Sequence, residues 1–75
     1  MIAVRLEDGS TVYAFGTQSL VARDKTGAPD RFWQTAAEAS VANSGGDLYA
    51  GLTALPGAKL IADGDVRPPP VKDQS

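Results

Sequence analysis

Two places in this chain set carboxylates close together, Glu7-Asp8 and Asp63-Gly64-Asp65. Oxygen ligands of that kind suit hard cations such as calcium or magnesium. An EF-hand loop needs acidic residues at alternating positions and a closing glutamate, and neither spot supplies them. Asp-Gly is also ordinary turn chemistry, because glycine adopts positive φ without a Cβ clash. Both spots are therefore read as turns, and no metal is expected. A glycosidase pair would need a cleft holding two carboxylates about 5–9.5 Å apart. The other acids, Asp24, Asp30, Glu38, Asp47 and Asp73, are scattered, several at capping or turn positions.

The chain contains no histidine and no cysteine. That removes the commonest general base, the Ser–His–Asp and Cys–His arrangements, thiolate metal sites and disulfides. Gly45-Gly46 lacks the following Lys-Ser/Thr of a phosphate-binding loop. No enzyme, cofactor or small-molecule substrate is expected.

Recognition chemistry remains. Arg5, Arg23, Lys25 and Arg31 fall in the first half of the chain, together with Tyr13, Phe15, Phe32 and Trp33. Arginine and aromatic side chains are the types most enriched at protein-binding hot spots. On one exposed sheet face they would also make a platform for single-stranded nucleic acid. Seven Lys+Arg against nine Asp+Glu give a formal net charge of -2, with no basic cluster. Phosphate neutralisation supplies most of such affinity, so the charge balance disfavours nucleic acid. Acidic residues in dense rows, as a nucleic-acid mimic would need, are also missing.

The end of the chain, Arg67-Pro68-Pro69-Pro70-Val71-Lys72, is set for polyproline II geometry, since proline fixes φ and donates no backbone hydrogen bond. Val71 stands where a PxxP ligand after Pro68 would need its second proline. This segment reads as a spacer or a secondary contact. The candidate partner-binding set is Arg5, Arg23, Arg31 and Tyr13, with Pro68, Pro69 and Pro70. The expected partner is another protein, or a second copy of the chain.

These side chains need elements to position them. Ile2, Val4 and Leu6 alternate with Ala3, Arg5 and Glu7, the period of a half-buried strand. Asp8-Gly9 is a hairpin turn, and residues 11–15 form the returning strand. Gly16-Thr17-Gln18 reads as a second turn and residues 19–24 as a third strand. After Lys25-Thr26-Gly27-Ala28-Pro29, two readings compete. Asp30 can cap a helix running through Trp33, or residues 31–34 can form a fourth strand. In the second case the helix starts at Thr35, because Thr35-Ala36-Ala37-Glu38 is a capping box. The capping box is the preferred reading.

Asn43-Ser44-Gly45-Gly46 ends that helix and Asp47 caps a second. Leu48, Leu52 and Leu55 recur at helical spacing as a core stripe. Pro56-Gly57 stops it, and residues 58–62 form a last strand. The expected core is Ile2, Val4, Leu6, Val12, Ala14, Leu20, Phe32 or Trp33, Val41, Leu48, Leu52, Leu55, Leu60 and Ile61.

The fold class is α+β: a small, mostly antiparallel sheet of N-terminal hairpins plus a returning C-terminal strand. Two short helices cover one of its faces. Residues 1–65 make one compact domain and residues 66–75 an extended tail. The start of the chain does not read as a signal peptide, and no apolar run approaches the ~18–20 residues of a membrane span. A cytoplasmic chain is expected, or a virion component if the source is a phage; alanine-rich, lysine-poor usage suggests a GC-rich bacterial or phage genome. The functional expectation is a non-catalytic interaction module. A bacterial or phage accessory or assembly protein, such as a virion decoration or joining protein, leads. An inhibitor of a host enzyme or defence complex comes next, and a weak single-strand binder after that.

Overall fold

The computed structural model describes residues 1–15 and 19–63. The expected turn at Gly16-Thr17-Gln18, the pair Gly64-Asp65 and the tail with Pro68, Pro69 and Pro70 lie outside the described residues. In chain order the elements are β1 (Ile2–Arg5), β2 (Thr11–Phe15), β3 (Ser19–Arg23), α1 (Arg31–Asn43), α2 (Leu48–Thr53) and β4 (Lys59–Asp63). The strands form one sheet in the order β3-β2-β1-β4, each neighbouring pair antiparallel. Both helices pack on one face. This is the α+β architecture expected from the strand and helix periods. Among the described residues no helix is long and apolar enough to cross a membrane.

The first hairpin closes as the Asp-Gly signal requires. Gly9 sits at φ 90°, a backbone region that side chains with a Cβ rarely enter. The Asp8 carboxylate accepts the Ser10 amide at 2.8 Å, and the Leu6 amide donates to the Ser10 carbonyl at 2.8 Å.

Alternation then sorts the strand residues. Ile2, Val4, Leu6, Val12, Ala14 and Ala22 are buried with Ala37 of α1 and with Leu48, Leu52 and Leu55. Leu20, Trp33 and Val41 are partly buried against them, as expected. Leu60 and Ile61 were expected in the core, but they are 41% and 48% exposed. Their strand is the outermost on its side. Its register against β1 also shifts between Ala3 and Val4, leaving Ile61 as an extra residue. Phe32 is 70% exposed, and Trp33 takes the core position.

The start of α1 corrects the capping-box reading. The helix begins at Arg31, so residues 31–34 are not a strand and Thr35 lies inside the helix. Asp30 is the N-cap: its Oδ1 accepts the Trp33 amide at 3.0 Å. Side chains of that first turn then settle the choice by tertiary bonds. The Trp33 indole Nε1 donates to Asp8 Oδ2 at 3.0 Å. The Ser10 hydroxyl, in a residue only 2% exposed, donates to Asp30 Oδ2 at 3.1 Å. Gln34 accepts the Ala22 amide at 3.0 Å and donates to the Leu20 carbonyl at 3.0 Å. Trp33 and Gln34 reach these distant partners from the first turn of the helix.

The two helices approach closely at Gly51. A Cβ built there would lie 2.6 Å from the Val41 Cα and 2.6 Å from its Cγ2. The Ser40 hydroxyl donates to the Gly51 carbonyl at 2.6 Å. Gly51 is needed for this contact and not for an unusual φ. Gly51→Ala should therefore destabilise the fold by about 1–3 kcal/mol from overpacking, even though alanine improves helix propensity by about 1 kcal/mol. Urea unfolding measures the sign, and a stabilised variant would show that the helices can part at no cost. Leu52, fully buried, should cost about 2–5 kcal/mol on truncation to alanine. A melting temperature within a degree or two of the parent would mean α2 does not pack as described.

Acid sensitivity has a defined sign. The Trp33 indole and then the Ser10 amide hold the Asp8 carboxyl below its ordinary value. The Thr26 hydroxyl, then the Ala28 and Thr26 amides, do the same for Asp24. Both groups hold protons more weakly folded than unfolded, where aspartate titrates near about 3.9. Their stabilisation is complete above that value and is lost as pH falls through the lower folded values. Asp8→Asn should lower the melting temperature at neutral pH and shrink the loss below about pH 4. Melts across the acid range that run parallel for the two proteins would exclude this role for Asp8.

Candidate functional site

The helices cover the sheet face carrying Ile2, Val4, Val12 and Ala14. Successive strand residues point to opposite faces, so Ala3, Arg5, Thr11, Tyr13, Phe15, Val21 and Arg23 share the other one. The register joins them into rows. Arg23 lies opposite Thr11, Thr11 opposite Arg5, and Arg5 opposite Lys59. Three cations and one hydroxyl thus run in a single line across all four strands, about 14 Å long at ordinary strand spacing. Val21, Tyr13, Ala3 and Ala62 form the next row, about 7 Å along the strands. Phe15 extends the apolar patch beyond it and is 52% exposed. Its ring stands edge-on to Tyr13, centroids 5.3 Å apart at 89°.

Ala3, at the middle of this face, is only 3% exposed. It is a short methyl set between Tyr13 and Ala62. The patch is therefore low at its centre and raised around Tyr13 and Phe15. Ile61, the extra residue of β4, lines with Arg5, Leu6, Glu7, Gly57 and Lys59 an open-sided cavity of ≈ 490 Å³ at the end of the sheet. It adds a second raised apolar side chain next to the cations.

The electrostatics of the row are unbalanced. Among the described residues, Arg5 and Lys59 make no ion pair and no side-chain hydrogen bond. Arg23 has only a long contact from its guanidinium to the Gly27 carbonyl, 3.5 Å. Glu7 lines one cavity with Arg5 and Lys59, and its side chain lies over Gly57. Such a surface can bind carboxylates along one line and apolar side chains along the next. Among the described residues no three Asp or Glu side chains gather to hold a metal.

Of the residues singled out in the sequence, the fold brings together Arg5, Arg23 and Tyr13. Arg31 is separated from them. It opens α1 and, with Ala22, Pro29, Asp30 and Gln34, lines a cavity of ≈ 290 Å³ beside β3. Its expected place on the sheet depended on residues 31–34 being a strand. The tail prolines lie outside the described residues. Lys59 and Val21 were missed. Strand alternation alone puts Val21 opposite Leu20 and so on the open face. Lys59 joins the row only through the pairing of β4 with β1, which no local pattern announces. Compared with protein-family models, with curated proteins and with solved structures, the chain matches none.

Proposed function

We propose that this chain is a non-catalytic protein-interaction module that holds an acidic partner protein against its open sheet face. The observation that carries the reading is the line of Arg23, Arg5 and Lys59, which has no paired carboxylate among the described residues, set beside the apolar row of Tyr13, Val21 and Phe15. Charged and apolar side chains in adjacent lines match the make-up of interface hot spots, in which an aromatic anchor sits beside arginine. Buried carboxylate–arginine pairs across such a face would set orientation and register.

The same line argues against two other occupants. A second copy stacked on this face would add three further cations to the three already in the row, with Glu7 of each copy at one end of it. Single-stranded nucleic acid stacks its bases on aromatic rings that lie open, whereas Tyr13 and Phe15 stand edge to face, and the chain as a whole is negative. An accessory or assembly component, engaging its partner in many copies, is the form of this reading we favour. An inhibitor would bind one partner as a monomer.

Capture from a lysate of the native host tests the reading with three chains: the parent, Arg5→Glu combined with Arg23→Glu, and a chain lacking residues 66–75. Surface charge reversals usually change stability by about 0.5 kcal/mol or less, so the double variant should melt like the parent. It should lose the partner by at least tenfold, and capture should survive nuclease. Retained binding by the double variant, with loss on removing the tail, would move the site to the prolines. Nuclease-sensitive capture would make the ligand a nucleic acid.

A further inference from the structure

The two edges of the sheet are treated differently. On β3 the outward-pointing groups are all but used up within the chain. The Leu20 carbonyl and the Ala22 amide are held by Gln34, both at 3.0 Å. The Ala22 carbonyl accepts the Asp30 amide at 3.0 Å, and the Asp24 amide donates to the Ala28 carbonyl at 2.8 Å. A side chain and a loop thus act as a fifth strand there. On β4, among the described residues, no hydrogen bond arrives from the outer side. Leu60 and Ile61 are exposed on that strand, and Lys59 ends the cationic row at the same edge.

We propose that β4 is the edge at which an extended acidic segment of the partner adds as a further strand, with a carboxylate placed beside Lys59 and Arg5. The proposal rests on the acidic partner inferred above and names how that partner docks. Main-chain groups at an open edge accept a strand of any sequence, and side chains on alternate positions supply selection. Here the selecting groups are two cations on the open face and the apolar Leu60 and Ile61.

The extra residue Ile61 interrupts the edge, so few main-chain bonds can form on either side of it. A bulge and an edge lysine are devices that resist pairing between identical strands. The edge is thus guarded against its own copy and open to a strand of opposite charge. Recognition here should be weak in the main chain and strong in charge.

The test uses the full chain and a defined probe, an eight-residue peptide alternating glutamate with valine. Amide chemical shifts should move along β4 and the facing residues of β1, and binding should weaken at least tenfold when lysine replaces glutamate in the peptide. Two further peptides carry N-methyl groups on every glutamate amide or on every valine amide. One set faces β4 and the other faces water, so one methylation should cost at least tenfold and the other less than about threefold. If both peptides bind like the parent, or if the parent peptide does not bind at millimolar concentration, strand addition is wrong. Lys59→Glu separates this from the reading of the whole face. Loss of host-partner capture in that variant, with no effect of peptide methylation, would keep the acidic partner and remove the added strand. Concentration-dependent dimerisation that Leu60→Lys abolishes would make a second copy the occupant and overturn the proposal.

Discussion

Four side chains fix where the helical layer lies on the sheet. Asp8 uses one oxygen to close its own hairpin turn and the other to take the Trp33 indole. Asp30 uses one oxygen to cap α1 and the other to take the Ser10 hydroxyl. Each carboxylate therefore joins a local bond to a distant one, and the two together tie the first turn of α1 to the first hairpin. Buried polar groups left without partners are expensive, and among the described residues no buried side-chain atom lacks one. Gln34, one residue beyond Trp33, then falls against the edge of β3. α1 lies beside β3, and α2 drops its leucines over β1.

A helical layer of this size can protect only one side. α1 has 13 residues and α2 has 6, about 20 Å and 9 Å of helix. They suffice to bury Ile2, Val4, Val12 and Leu52 completely, and nothing remains among the described residues to cover the reverse face. Antiparallel sheets tolerate a solvated face when its residues are polar. This one is polar along one row only. The next row is apolar and aromatic, an arrangement that solvation alone does not call for.

The parts legible in the sequence were those governed by short-range rules. Alternation in residues 2–7, the Asp-Gly turn and the Leu48, Leu52, Leu55 stripe each depend on neighbours within a few positions, and each stands in the fold as read. The start of α1 was different. Asp30 and Thr35 are both good caps, and the local signals nearly balance. The decision came from Asp8, Ser10 and Ala22, up to 25 positions away. The misplacement of Arg31 followed from that one error. Leu60 and Ile61 look like core by type, but their burial depends on which strand sits at the edge. Lys59 stayed invisible for the same reason: its place beside Arg5 is a property of β4–β1 pairing and of nothing local.

The charge arrangement bears on how the acidic partner proposed above would be met. The chain is negative overall, while three of its cations stand in one row on one face. Neighbouring strands are about 4.8 Å apart, so the ends of the row fall within roughly two Debye lengths at physiological salt. To an acidic protein more than that distance away, the whole molecule is weakly repulsive. Close in, only the sheet face attracts. Approach from the helical side, where Asp30, Glu38 and Asp47 lie, meets carboxylates. Long-range steering is therefore weak and short-range orientation strong, a combination that trades association rate for selectivity of face. Arg31 fits the same logic from the other side. Standing beside Asp30 at the start of α1, it tempers the acidity of the helical layer and adds nothing to the cationic row.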